Sequence, residues 1–387
     1  MMAIARMNML LFTPGPTPVP ESVRLAMATP TLHHRTPEFE AIFAETRELL
    51  FNLFATDEVI MLASSGTGAM EAAVTNLCKD TLLSVNSGKF GERFGKIALA
   101  SGLKNVEIKH EWDTPASVEE VVEAVKANPA IDALAIQISE SAGGLRHPVE
   151  EIAAAVKAIN PSIMVIADGI TAIGVERINV ENIDCIIAGS QKALMLPPGL
   201  SILGLSSAAI EKIGGGKGYY LNLASEIKKQ KQNTTAYTAA TTLIIGLRAI
   251  LQEINEQGGI GMLYCDTARR AKATRFALEA LGLHSYPKTP ARSMTTIDDE
   301  NAAEIRTLLK TDFGVNVAGG QDHLKGKIFR INHMGLIDTY EMVWVVNAVE
   351  LALAKLGRRD FDGTASRVFN EEYFKSTINP TPKKEEK

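Results

Sequence analysis

Ile163-Met164-Val165-Ile166-Ala167-Asp168-Gly169-Ile170 and Cys185-Ile186-Ile187-Ala188-Gly189-Ser190-Gln191-Lys192 are the stretches that decide the fold. Each is an apolar run that ends in small residues and a charge. Runs apolar on both faces belong to buried strands of parallel sheets. Two such strands deliver Asp168 and Lys192 to one sheet edge, and ligands of open α/β sheets bind at the carboxyl ends of strands. A carboxylate for a pyridinium nitrogen and an amine for an aldehyde are what pyridoxal phosphate needs from its protein. The pair therefore predicts that cofactor, held as a Schiff base at Lys192. Taken singly, Lys192 reads as a surface lysine after a strand and Asp168 as an acidic helix cap, so the residues around them have to decide.

Working outward, further apolar runs stand at 59–63, 82–85, 133–138 and 202–205. Helical periodicity fills 38–54, 70–77, 90–100, 118–127 and 149–159. This alternation predicts an α/β fold, a mainly parallel sheet covered by helices. A long helical stretch runs from Leu243 to Leu281, broken at Gly258-Gly259. Beyond it, 283–356 reads as a smaller α+β domain, with strands near 293–297 and 328–332 and a closing helix from Thr339. The expected division is an arm over 1–20, a large cofactor-binding domain over 21–255, a small domain over 256–360, and a polar, partly disordered tail over 361–387.

Bulk properties bound the function. The chain has 387 residues and a net charge of −5, which argues against a nucleic-acid surface. Cys78, Cys185 and Cys265 are far apart and sit in apolar contexts, so no disulfide framework or metal site is expected, and a reducing cytoplasm fits. The start, Met1 to Phe12, is too short in apolar residues for a signal peptide. The uncharged window 193–210 is broken by Pro197-Pro198-Gly199, which argues for a turn and a buried strand rather than a membrane span.

Ser64-Ser65-Gly66-Thr67-Gly68-Ala69-Met70 follows a strand and opens a helix. Small residues there let backbone N–H groups approach an anion, and the helix N-terminus favours its charge. Glu71 stands where a dinucleotide fingerprint needs its third glycine, and no Walker lysine is present. A phosphate cradle and a plain strand–helix turn both remain open on these residues alone.

An ordered set of motifs carries a resemblance: TPGPTPVP (13–20), HHRTPEF (33–39), SSGTGAMEAAVTNL (64–77), NSGKFGERF (86–94), ADGITAIG (167–174), GSQKALMLPPGLS (189–201), NTTAYTAA (233–240) and GKIFRINHMG (326–335). Together they resemble the class V aminotransferases of the alanine/serine–glyoxylate (serine–pyruvate) branch, fold-type I pyridoxal phosphate enzymes, from about Leu11 to Leu356. The resemblance implies a seven-stranded-type sheet and roles residue by residue. Lys192 resembles the Schiff-base lysine and Asp168 the partner of the pyridine nitrogen. Ile170 and Phe90 resemble the residues on the two ring faces, with Phe90 standing where many relatives carry Trp. Gly66, Thr67 and Gly68 resemble the phosphate loop and Gln191 a further polar contact. Thr235 resembles a threonine that reaches the phosphate from a neighbouring subunit, which implies a homodimer with shared sites. Arg330 resembles the clamp on the substrate α-carboxylate, with Gly15 on the substrate side, and His33, His34 and Arg35 resemble an active-site loop.

One departure stands out. Relatives often read HxE[ST]STG where this chain has Ile138-Ser139-Glu140-Ser141-Ala142-Gly143-Gly144. A hydroxyl for the ring 3′-oxygen falls at Ala142, leaving Ser141 as the substitute. The implied reaction moves the amino group of alanine, serine or aspartate to glyoxylate, pyruvate or 2-oxoglutarate. The alternatives are a desulfurase or lyase on the same scaffold, which needs a mobile cysteine, and a non-catalytic hydrogenase-associated subunit, which does not need Lys192, Asp168 and Arg330 together. Arg35, Arg146 and Arg292 are candidates for a second carboxylate contact.

Overall fold

A computed structural model describes residues 9–375. Seven strands form the larger sheet, in the order Glu58–Leu62, Ser201–Leu205, Cys185–Gly189, Met164–Asp168, Ile131–Gln137, Thr81–Asn86, Lys104–Lys109. Five run parallel or continue a parallel pair, while Ser201–Leu205 is antiparallel to both of its neighbours. The connection 190–200 is therefore a long return between antiparallel strands rather than a crossover. Ser190 cinches it: its hydroxyl donates to the Pro197 carbonyl at 2.8 Å, and its N–H donates to the Leu200 carbonyl at 2.9 Å. Lys192 is held inside that loop.

The helix Pro37–Phe54 shows why the covering layers form. Thr36 caps it, accepting the Phe39 N–H, and Pro37 opens it with φ already set. Phe39, Phe43, Leu50 and Phe54 bury one face against the sheet. Near it, the edge strand Glu58–Leu62 is covered. The Gln230 amide accepts from Met61 N–H at 2.9 Å and donates to the Met61 carbonyl at 2.7 Å, taking the place of a neighbouring strand.

A second sheet has the order Leu10–Phe12, Val315–Gly319, Ile328–Asn332, Met294–Asp298, His284–Ser285. The N-terminal residues 10–12 thus belong to the sheet of the C-terminal region, pairing in parallel with Val315–Val317. Residues from 361 onward are not simply a polar tail. Thr364–Tyr373 is a helix with Ala365 and Phe369 buried, and Glu350 accepts the Thr364 and Ala365 N–H groups at its start. Arg367 and Glu371 lie on its outer face, while Glu372 turns in to pair with Lys272. Met1 to residue 8 and the segment 380–387 lie outside the described residues. The window 193–210 holds the loop, the strand Ser201–Leu205 and the start of the helix Ser207–Ile213. Among the described residues no helix is long and apolar enough to cross a membrane.

Candidate active site

At the carboxyl edge of the large sheet, Ser65, Gly66, Thr67, Phe90, Arg93, Ser139, Ser141, Asp168, Ile170, Thr171, Gln191 and Lys192 line one cavity of about 170 Å³. Strand 164–168 ends in Asp168, and the adjacent strand 185–189 leads into Gln191-Lys192. The Asp168 carboxylate is nearly buried and accepts the Ile170 N–H at 2.9 Å. Burial pushes its pKa up to about 6, against the pull of that N–H and of the Lys192 and Arg93 charges. Burial lowers the Lys192 ammonium to about 8, Arg330 adds to the fall, and Asp168 opposes it. The Lys192 ammonium donates to the Pro14 carbonyl, and its own carbonyl accepts the Thr17 hydroxyl at 2.7 Å.

The glycines are explained by what they face. Gly15 has φ +108°, and a Cβ there would lie 2.5 Å from Lys192 Nζ. A Cβ on Gly66 would run into Ile170, and one on Gly68 would sit 2.8 Å from the Ser64 side chain. The helix Gly66–Leu77 begins at this cradle. Phe90 and Ile170 both stand in the cavity wall. A buried carboxylate, a desolvated lysine, flat apolar walls and a helix N-terminus free of bulk fit pyridoxal phosphate.

Arg330 lies on strand 328–332, 7% exposed. It donates through Nε and Nη2 to the Gly319 carbonyl and through Nη1 to the Ser141 carbonyl. Its charge is near enough to bear on Lys192.

Over residues 10–337 the sequence matches the profile of the class-V aminotransferases. The chain belongs to that family. This aminotransferase is 51% identical over 367 residues to a Helicobacter pylori protein known as an uncharacterised aminotransferase, covering 95% of this chain and 100% of that one. It is 31% identical to a serine–glyoxylate aminotransferase of Hyphomicrobium methylovorum, covering 96% of this chain and 97% of the relative. The solved structure of a subgroup IV aspartate aminotransferase from Thermus thermophilus superposes with a TM-score of 0.84 at 33% identity, over 89% of this chain and 99% of that one. The fold is fold-type I and the cofactor of the aminotransferase is pyridoxal phosphate.

Several expected residues lie elsewhere. Thr235 is outside the cavity, its hydroxyl bonded to the Tyr237 carbonyl at 2.5 Å. His33, His34 and Arg35 form a turn before the helix 37–54, with the rings 4.8 Å apart, and none lines the cavity. Arg146 is not a free carboxylate contact, because Glu150, Glu176 and the His147 carbonyl already hold its guanidinium. Arg35 and Arg292 are exposed on the surface of the aminotransferase. Cys265 does not sit in an apolar context: it is exposed on the helix Ile260–Glu279.

Two residues emerge only from the structure. Glu140 is fully buried and accepts the N–H groups of Phe90, Gly91 and Ala142 at 3.0, 2.9 and 2.9 Å. It thereby fixes the helix start that presents Phe90. Burial raises its carboxyl to about 7, and the nearby Asp168 charge adds to the rise. Its place in the Ile138–Gly144 motif, straight after the strand Ile131–Gln137, is the signal the sequence offers for it. Arg93 reaches the cavity from the same helix, three residues after Phe90.

Proposed function

We propose that the protein transfers the amino group of a small L-amino acid, alanine, serine or aspartate, to glyoxylate, pyruvate or 2-oxoglutarate. The observation that carries this reading is a half-buried lysine and a buried carboxylate, Lys192 and Asp168, brought from adjacent strands into the wall of one cavity. Relatives named for serine and aspartate chemistry support the substrate class.

Pyridoxal phosphate supplies the carbonyl that receives the amino group and the ring that spreads the resulting charge. The protein does the rest. Lys192, its ammonium lowered by burial to about 8, would offer an amine that carries a proton to and from the substrate Cα. Asp168 keeps the ring nitrogen protonated through a charge-assisted bond. Phe90 and Ile170 hold the ring plane and exclude water. The helix start at Gly66-Thr67-Gly68 would hold the phosphate, with Gln191 in the same cavity wall, and Ser141 would be the hydroxyl offered to the ring 3′-oxygen. Arg330 takes the α-carboxylate, and Gly15 leaves room in front of the lysine.

A desulfurase needs a mobile, ionisable thiol. Cys78 is buried and its thiol is pushed up to about 12, while Cys185 lies within a strand. Both observations favour amino transfer. The test is a half-reaction: alanine, serine and aspartate are added separately to the cofactor-loaded enzyme, and released oxo acid is measured. At least one should yield stoichiometric oxo acid. Elimination products alone, or no product from any amino acid, would sink the reading.

We also propose a homodimer in which Thr235 serves the partner's site. Tyr219, Tyr220 and Tyr237 cluster beside it, with Tyr219 83% and Tyr220 50% exposed, an aromatic patch suited to burial against a second copy. Two-fold dimers are the commonest soluble assembly. Active enzyme should sediment as a dimer; a fully active monomer at low concentration is the contrary result.

A further inference from the structure

We propose that Arg93 is a ligand of the cofactor's phosphate and the cation that sets the enzyme's preference for the phosphorylated cofactor. The inference rests on the reading of residues 65–68 as the phosphate cradle.

Arg93 sits on the first turns of the helix Lys89–Ala100, half-buried in the wall of the cavity that holds Asp168 and Lys192. Its Nη1 donates to the Thr67 hydroxyl at 2.8 Å, and Thr67 is the second residue of the helix Gly66–Leu77. Its guanidinium lies over the Phe90 ring, 4.7 Å from the ring centre. That contact uses the guanidinium's charge over the ring and takes up none of its N–H donors. Among the described residues no carboxylate lies within salt-bridge distance of it, although Glu92 next to it pairs with Lys89 and Lys96. Asp168 feels the Arg93 charge from across the cavity but makes no ion pair with it, so a cation fixed at the mouth of a helix N-terminus, with donors to spare, is matched to a dianion.

The alternative partner is the distal carboxylate of a substrate such as aspartate. The contacts favour the phosphate. Arg93 is tied to Thr67, at the cradle, and it is Arg330, on the other sheet, that bears on the Lys192 amine. Phosphate presents three oxygens to a guanidinium whose one outer nitrogen is already spent on a hydroxyl. The backbone amides of the cradle and the Arg93 fork then approach the anion from two elements, the helices starting at Gly66 and Lys89.

The test compares pyridoxal phosphate with pyridoxal, which lacks the phosphate, on enzyme stripped of its cofactor, in wild type and in Arg93→Gln and Arg93→Lys. Dissociation constants are read from absorbance, and folding from the melting temperature. Arg93→Gln should weaken pyridoxal phosphate about 10- to 100-fold, the scale of losing a charged hydrogen-bond partner, and leave pyridoxal within twofold. Arg93→Lys should recover part of the loss. Inorganic phosphate should raise the melting temperature of stripped wild type more than that of Arg93→Gln. Equal losses for the two aldehydes would mean that Arg93 merely supports Phe90 and Thr67. An unchanged constant for pyridoxal phosphate, with weakened release of oxo acid from aspartate alone, would assign Arg93 to the substrate. If wild type itself fails to distinguish pyridoxal phosphate from pyridoxal, the cradle reading fails, independently of Arg93.

Discussion

Lys192→Ala should still bind pyridoxal phosphate but should no longer bond to it, and turnover should fall by about 10⁴-fold or more, the scale of losing a nucleophile that also carries protons. Borohydride should no longer fix the cofactor to the chain, as read by intact mass. The loss should be chemical, because the loop does not depend on the amine. Ser190 closes the loop through Pro197 and Leu200, and the Lys192 carbonyl keeps its bond from Thr17 in the variant. The melting temperature of the cofactor-free protein should therefore change little. pH supplies a second reading of the same residue. The neutral amine is the form that attacks an aldehyde, and burial has lowered Lys192 from the usual 10.5 to about 8. The rate at which stripped enzyme takes up pyridoxal phosphate should rise as pH rises through about 8 and then level. An exposed lysine would go on rising past pH 10. Replacing Arg330 by alanine removes a like charge, so the midpoint should move up. Retained covalent cofactor in Lys192→Ala, or a rate that keeps climbing beyond pH 10, would overturn the assignment.

Most of the large sheet was legible because its signals are local. An interior strand such as Ile131–Gln137 is apolar on both faces, so it appears as an unbroken run, and the residues that end it fall at the ligand edge. Lys104–Lys109 leaves no such mark, for the converse reason: it is an edge strand of exposed and half-buried residues, with no apolar run. The pairing of Leu10–Phe12 with Val315–Val317 joins segments from opposite ends of the chain, and no periodicity within either announces the other. The hairpin return that carries Lys192 was hidden too, since a buried antiparallel strand and a buried parallel one have the same composition. Side chains that act across elements were hardest. Glu140 holds the first turn of the helix 89–100, and Arg93 reaches Thr67 on the preceding helix. In sequence each is one more charged residue; only the packing of the helices gives them partners.

Arg330→Ala should cost every amino acid donor about 2 to 5 kcal/mol, the penalty for leaving a buried carboxylate without its hydrogen-bonded cation. At 1.4 kcal/mol per decade that is roughly a 30- to several-thousand-fold fall in kcat/KM. The arginine is buried enough to lower its pKa to about 10, yet it stays charged at neutral pH. Of its five N–H donors, those already engaged point to backbone carbonyls, Gly319 on the neighbouring strand and Ser141 across the site. Carbonyls orient the fork without neutralising it, and the buried Glu140 carboxyl, itself pushed up to about 7, acts on it only from a distance, which leaves charge for a carboxylate. Lysine keeps the charge but has neither the planar fork nor the donors to hold Gly319 and Ser141 together, so Arg330→Lys should recover only part of the loss. These same carbonyl bonds supply the rival explanation, that Arg330 serves to tie the small sheet to the Ser141 loop. The two differ in what a decarboxylated substrate feels. The amine that corresponds to a good amino donor has no carboxylate to lose, so its slow reaction should change less than threefold in Arg330→Ala if the arginine is a carboxylate clamp. If the arginine is a brace, the site itself is displaced, and the amine and the amino acid should lose equally.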